Sequence, residues 1–408
     1  MTEHIDTLII GGGQAGLSLS YYLGQHGREH VLLERARLAE RWRVERWDSL
    51  AFQFPNWALT LPGYRGHAKD RDGFAVRDQV VQFLEDYKSY IHAPLKTGIT
   101  ALSVSQEGER VRRFLVETDH GNWTARNVVL ATGPFQHPSI PQCSASVSGT
   151  ITQIHSRQYR NPQQLPPGAV LVVGAGTSGA EIAHELCQSG REVYLSVGRY
   201  RKAPRRYRGR DIFWWIEAMR FWDVTGHQVD GRLDGVPLLT GTNGGYDIDL
   251  CSFAQEGIRL IGRLSDIGGE SVFLAADLEE SLHGGESWFR RFVQMMDDYA
   301  ESNRLVLPTA DHRVPQSVPP SSPSEISLKN VGVNSIVWAT GYRYSFQWVH
   351  LPVFNELGQP LQRRGMTSVP ALFFLGLRRM HTIKSALLSE SGVGADAAYI
   401  AQQIIGRW

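Results

Sequence analysis

Apolar runs and helical spacing alternate twice in the same way along this chain. Residues 5–10 form an apolar strand, residues 14–26 carry helical spacing, and residues 30–34 (HVLLE) form a second apolar strand. The succession returns from Ala169, through a second helix, to the strand in VYLSVG. Strand, helix and strand at this spacing make a βαβ unit with parallel, buried strands. Residues 35–76 have no period and carry Trp42, Trp47, Phe52, Phe54 and Trp57. The pattern predicts a helix over 77–90, alternating strands around 99–105 and 113–118, and an apolar strand VVLA that runs into Thr132 and Gly133. Residues 161–168 (NPQQLPPG) and 308–324 read as proline-rich connectors. Between them, residues 200–307 show one clear feature, a helix with the apolar stripe Trp288, Phe292, Met295, Met296 and Tyr299. SIVWATGY then repeats the strand–ATG pattern, and the chain ends as strand, loop and long helix.

The strand-to-helix junctions carry the chemistry. The first reads GGGQAG, with Gly11, Gly13, Gln14, Ala15 and Gly16; the second reads GAGTSG, with Gly174, Gly176, Thr177, Ser178 and Gly179. In G-x-G-x-x-G the first glycine allows a tight turn and the second admits a pyrophosphate to the backbone. The third lets helix and strand pack closely, with the phosphates at a helix N-terminus. Two such junctions, about 160 residues apart, imply two nucleotide cofactors on one chain, the layout of an enzyme that passes electrons between them. Net charge is +1, so no polyanion-binding field is expected and nucleic acid is not a partner. Cys143, Cys187 and Cys251 are too dispersed for a redox pair or a zinc site, and no metal is expected. No run approaches a membrane span, and the reading is a cytoplasmic protein.

The two junctions lead into different sequences. Glu34 ends the second strand 23 residues after Gly11, where an acid accepts hydrogen bonds from a ribose diol. The same offset from Gly174 reaches Val197, just after Ser196, and no acid is there; Arg199, Arg201 and Lys202 come next. A missing acid with an arginine beside it fits the extra phosphate of NADPH, with Arg199 first. Arg205–Arg210 read equally well as a solvated basic face. FAD needs the larger, permanent site, so FAD is assigned to the first and NADPH to the second. The expected fold class is α/β, with two Rossmann-like dinucleotide-binding domains, the NADPH domain inserted into the FAD domain. The FAD domain takes 1–165 and 332–408, and the NADPH domain with a helical insert takes 166–331. Beside the glycine loops, Arg35, Trp42, Ile99, Ala131, Thr132 and Gly133 complete the first expected site. Ala339, Thr340 and Gly341 are added from the second ATG turn.

Nearly the whole chain resembles the class B flavin-dependent monooxygenases, in the flavin-containing monooxygenase and YUCCA-like branch. The resemblance rests on GGGQAG with Glu34, Trp42, DSLAFQFPNWALTLPG at 48–63, NVVLATG, GAGTSG and WATGY at 338–342. The family signature F-x-G-x-x-x-H-x-x-x-Y is met in part. His155 and Tyr159 keep their spacing, but Val147 replaces the phenylalanine and five residues, not three, separate Gly149 from His155. Baeyer–Villiger members carry tryptophan where Tyr159 stands, which argues against ketone insertion. The family places an asparagine over the flavin, two residues before a proline. Here that proline is Pro55, the matching amide is Gln53, and Asn56 lies just beyond it; both are catalytic candidates.

The resemblance implies that NADPH reduces FAD, that O2 is activated as a C4a hydroperoxide, and that oxygen passes to an N, S or C centre of a small organic substrate. The alternatives are a Baeyer–Villiger or oxidative decarboxylating reaction, or an NADPH oxidase releasing peroxide. A flavin disulfide reductase shares the two-junction plan but requires a cysteine pair beside the flavin. The pocket is expected near Phe52–Trp57 and the tract at 213–215, with residues 381–391 passing the flavin and the last helix presenting its N-terminus to it. His381 reads equally well as structural. A homodimer is compatible with this reading.

Overall fold

The computed structural model describes residues 2–107, 113–225, 236–310 and 322–406. The first βαβ unit is β1 (Thr2–Ile10), α1 (Gln14–Gln25) and β2 (His30–Glu34). β1 starts ahead of its apolar run because its polar end, Thr2 to His4, pairs with Asn122 to Thr124. A short helix, α2 (Glu40–Val44), interrupts the stretch expected to be irregular. Then follow α3 (Arg77–Tyr90), β3 (Leu95–Thr97), β4 (Ala101–Glu107), β5 (Arg113–Thr118) and β6 (Gly121–Leu130). The sheet order is β3-β2-β1-β6-β5-β4. It is parallel as far as β6 and antiparallel beyond it.

The second sheet takes β7 (Thr152–His155), β8 (Ala169–Val173) and, after α4 (Thr177–Gln188), β9 (Val193–Ser196). The helices α5 (Ile212–Ala218) and α6 (Leu250–Gln255) lead to its edge strand β10 (Arg259–Ile261). A small antiparallel sheet of β11 (Leu264–Gly268), β12 (Ser271–Leu274) and β13 (Glu325–Ser327) brackets α7 (Leu278–Ser302). β14 (Val333–Trp338) returns to the centre of the second sheet, whose order is β7-β14-β8-β9-β10, all parallel. The chain closes with β15 (Leu372–Phe374), which pairs with β6, and α8 (Ala395–Ile405).

This topology corrects the boundaries expected at 165/166 and 331/332. Both β7 and β14 lie in the second sheet, so that unit extends outward at each end, to Thr152 and Trp338. Sequence pattern could not show this, because one apolar parallel strand serves either sheet equally well. The α7 stripe also needs correction. Trp288, Phe289, Phe292 and Met296 are buried, but Met295 is exposed. The second connector falls largely at 311–321, outside the described residues.

The two units share apolar packing. Phe213, Trp215 and Trp222 of the insert join Phe54 and the first sheet in one core, with the Phe54 and Phe213 rings 4.5 Å apart. The tract at 213–215 is therefore not a pocket wall: Phe213 and Trp215 are buried core and Trp214 packs on them.

At both glycine loops the backbone is tight. Gly11 and Gly174 have φ of +118° and +104°, which L side chains rarely adopt. A Cβ on Gly174 would sit 2.7 Å from the Ala339 carbonyl oxygen, and one on Gly179 would press on the Gly174 carbonyl oxygen. Gly16 meets the Gly11 carbonyl in the same way. Gly179→Ala is therefore expected to cost about 1–3 kcal/mol of stability through overpacking. An unchanged urea midpoint would show that this helix–strand approach is not a constraint.

Candidate functional site

The loops after β1, β2 and β6 open onto a cavity of about 370 Å³. Of the residues singled out in the sequence, Gly11, Gly13, Gln14, Ala15, Glu34, Arg35, Trp42, Gln53, Ala131, Thr132 and Gly133 line it. Ser178, in the first turn of α4, reaches the same cavity from the second unit. Both fingerprints therefore border one space, or stand within a helical turn of it.

Glu34 does more than end a strand. One carboxylate oxygen accepts from the Gly12 amide at 3.0 Å and the other from the Ala36 amide at 3.2 Å, which fixes the carboxylate at the cavity edge. Gln14 donates from Nε2 to the Ala386 carbonyl at 2.9 Å. That bond pins Ala386, Leu387 and Leu388 against the cavity, so this turn is the C-terminal contribution to the wall. The N-terminus of α8 does not line it, contrary to expectation. A π-helical turn at Glu390–Gly394 intervenes. His381 is partly exposed, and its backbone N–H donates to Ser385 Oγ.

Several expected site residues have structural occupations. Gly16 packs against Gly11. Ile99 donates its amide to the Glu34 carbonyl at 3.0 Å and lies off the cavity wall. Asn56 is also off it: its Nδ2 donates to the Asp70 carbonyl at 2.8 Å, stapling a surface loop. Ser196 is buried, and its hydroxyl donates to the Gly262 carbonyl and accepts from the Leu264 amide. Lys202 is buried in an ion pair with Asp249 at 2.8 Å and a second with Glu286, which removes it from the basic candidates. Arg205 is buried as well, forked onto Asp211, so the run 205–210 is not a uniformly solvated face.

The remaining expected residues form the second loop. Gly174, Gly176, Thr177 and Gly179 turn from β8 into α4 beside Ala339, Thr340 and Gly341. Thr340 Oγ1 donates to the Ser139 carbonyl, and the Gly341 carbonyl accepts from His155 Nε2 at 2.9 Å. His155 is thus a buried brace between strands, its pKa lowered by burial. Tyr159 donates to Glu185 at 2.7 Å, and its phenol is pushed up by burial. Arg199 is exposed just past β9.

Sequence reading missed the arginine-rich wall. Arg41, Glu45 and Arg46 line the cavity with Trp47, Phe135, Ser156 and Tyr342. Only Tyr342, in the ATGY pattern, and Trp47, among the aromatics of 35–76, carried a signal. No cysteine lines the cavity, and among the described residues no cluster of three or more His, Cys, Asp or Glu could hold a metal. Among the same residues no helix is long and apolar enough to cross a membrane.

Gly13 and Gly176 contrast with their neighbours. Each is the N-cap of its helix, and nothing lies within 4 Å of where a Cβ would stand. The space is open to a ligand, and an added Cβ would intrude there without touching the protein.

Residues 8–219 match the pyridine nucleotide-disulphide oxidoreductase family. The chain is 34% identical to an uncharacterised CzcO-like oxidoreductase of Geobacillus kaustophilus, over 99% of each chain. It is 23% identical to the indole-3-pyruvate monooxygenase YUCCA1 of Oryza sativa subsp. japonica, over 98% of this chain and 91% of that one. A flavin-containing monooxygenase from Stenotrophomonas maltophilia shares the fold, with a TM-score of 0.68 at 20% identity and 99% coverage of each chain.

Two measurements test the geometry. Gly13→Val and Gly176→Val should both stay folded, losing no more than the roughly 1 kcal/mol that an apolar residue costs at an N-cap, while each loses the nucleotide of its own loop. A distinctly larger loss from either would mean that the space is not free. Glu181, one turn after Ser178, is buried, and burial pushes its carboxyl from 4.5 up to about 8. The folded state therefore holds a proton that the unfolded state releases, so this group makes stability fall as pH rises from 4.5 to 8. Glu181→Gln should flatten that slope in urea melts at pH 5 and pH 8; an unchanged slope would mean the carboxyl is ionised in the fold.

Proposed function

Because the chain belongs to the pyridine nucleotide-disulphide oxidoreductase family and, within it, to the class B flavin-dependent monooxygenases, we propose that it is an NADPH-dependent monooxygenase using FAD. The observation that carries this reading is a cavity lined by the open N-cap Gly13 of the first loop and reached by Ser178, two residues past the open N-cap Gly176 of the second, with no cysteine on its wall. A disulfide reductase needs a thiol pair at that place. Bound there, FAD and NADPH would supply hydride transfer and oxygen activation, and the substrate would be a small organic molecule with an oxidisable N, S or C centre.

The protein's own contribution is to bind, orient and exclude water. Gly13 and the first turn of α1 would take the FAD diphosphate, and the fixed carboxylate of Glu34 would take its ribose. Gly176, Thr177 and Ser178 would hold the NADPH diphosphate, and exposed Arg199 its extra phosphate. Phe52, Phe54 and Leu387 make the wall apolar, which keeps water from the reacting atoms. Gln53 lines that wall, and its backbone carbonyl accepts from Arg205 Nη1 at 2.7 Å. An amide both donates and accepts, and here it would position the oxygen-transferring centre.

The direct test mixes purified protein with FAD and NADPH and follows amines, thioethers, indoles and ketones, counting product and peroxide separately. A protein that stays colourless with FAD overturns the reading; stoichiometric peroxide with every substrate makes it an oxidase. Gln53→Leu should retain FAD but raise peroxide release per NADPH, with a loss on the order of 1–3 kcal/mol where the hydrogen bond is made. Asn56→Leu should lower stability by about 1 kcal/mol and leave the product-to-peroxide ratio alone. The reverse pattern would move the role to Asn56. Arg199→Ala should weaken NADPH roughly ten- to a hundredfold and leave NADH nearly unchanged. Equal loss for both coenzymes would place Arg199 in the fold.

A further inference from the structure

On one side of the cavity three guanidiniums gather around a single carboxylate, Glu45. Glu45 is buried and pairs with Arg157 at 2.6 Å. Its second oxygen stands 3.6 Å from Arg41 Nη1, too far for a hydrogen bond, and both atoms are buried without one. One carboxylate therefore faces two guanidiniums. Arg46 is the third. It donates to the Glu45 backbone carbonyl at 3.0 Å and lies over the Trp42 and Phe135 rings at 5.2 and 5.5 Å. The Tyr342 phenol is its polar neighbour. No carboxylate is ion-paired with Arg46 among the described residues. Burial lowers the guanidinium pKa of both Arg41 and Arg46. At Arg41 the attraction of Glu45 is opposed by Arg35, Arg157 and Arg46.

A guanidinium drawn partly off water is costly unless it meets a counter-charge. Aromatic faces hold a guanidinium flat but supply no counter-charge. The place is thus built to receive an oxyanion. Its location narrows the choice, because Arg46 shares the cavity with Ser156 and with Ser178 at the N-terminus of α4. Amides at a helix N-terminus and a planar guanidinium fork both suit phosphate oxygens.

We propose that Arg46, supported by Arg41, forms an oxyanion clamp through which the first unit grips the diphosphate of the nucleotide bound at the second loop. The proposal rests on the reading that NADPH binds at Gly174–Gly179. On this view the second nucleotide is held from both sides of the junction, and the ligand itself completes the charge balance. Arg46 would act as a phosphate ligand, separate from Arg199 at the adenosine end.

The test is calorimetry on the flavin-loaded protein with three probes: NADP⁺, inorganic pyrophosphate, and 2′-AMP, which lacks the diphosphate. Arg46→Met should weaken NADP⁺ and pyrophosphate roughly ten- to a hundredfold, retain FAD, and bind 2′-AMP like the parent. Arg46→Lys should lie between the two, and it carries the same comparison if Arg46→Met does not fold. Unchanged NADP⁺ affinity overturns the clamp and leaves the cofactor reading standing. Equal loss of 2′-AMP overturns it in favour of a role in folding, and loss of FAD overturns it in favour of the first nucleotide. If the parent binds pyrophosphate through Arg46 but not NADP⁺, the oxyanion site stands without being a clamp on NADPH, and it is the cofactor reading that fails. If the parent binds neither, the clamp is wrong.

Discussion

The close approach of a helix to the strand before it, repeated in each unit, is the constraint on which the rest depends. At Gly11–Gly16 and Gly174–Gly179 a carbonyl oxygen of the turn lies where a side chain of the following helix would otherwise stand. Only glycine permits that distance, and only that distance aims the first-turn amides of α1 and α4 at the ends of their sheets. The neighbouring strands must then end beside the turns. β6 does so at Leu130, with the Ala131 carbonyl against Gly11, and β14 does so at Trp338, with the Ala339 carbonyl against Gly174. The ATG turns after both strands are the complement of the two glycine loops.

Two such units make one site only if their relative placement is fixed. Three contacts between segments distant in sequence do this. The aromatic rings of Phe54 and Phe213 join the cores. Buried Arg205, forked onto Asp211, holds the Gln53 carbonyl and the Thr240 carbonyl together. Buried Lys384, on the turn that leads to the Ala386–Leu388 wall, pairs with Glu217 at 3.0 Å and Asp223 at 2.6 Å beyond α5. Breaking one partner of a buried pair costs more than the pair contributes, because the other charge is stranded. These contacts specify geometry more than they add stability. Their effect is that the Gln53 loop and the C-terminal turn close the same cavity from opposite ends of the chain.

The βαβ units, the helix over 77–90, the two nucleotide loops and the position of Glu34 were legible in the sequence. Each is set by local rules: period, glycine conformation, and the fixed offset from a turn to the end of the next strand. What lay beyond local rules went astray for identifiable reasons. β7 and β14 read as part of the first unit because a buried parallel strand carries no mark of its sheet. Asn56 and Gln53 are close in sequence and equal in chemistry, yet only Gln53 faces the cavity while Asn56 turns to Asp70. Lys202 and Arg205 looked like surface cations because sequence does not display the acids at 249, 286 and 211 that fold onto them.

The sequence by itself thus determined where two glycine turns form and which of them has an acid at the end of its next strand, since both arise from backbone sterics within some twenty residues. Only the tertiary structure decided that Ser178 of the second turn reaches the cavity of the first, that Arg46 and Arg41 gather around the one carboxylate of Glu45 on its wall, and that the segment around Leu387 closes it. Those facts depend on which distant side chains meet in low dielectric. Electrostatic balance there is a sum over neighbours that sequence order does not reveal.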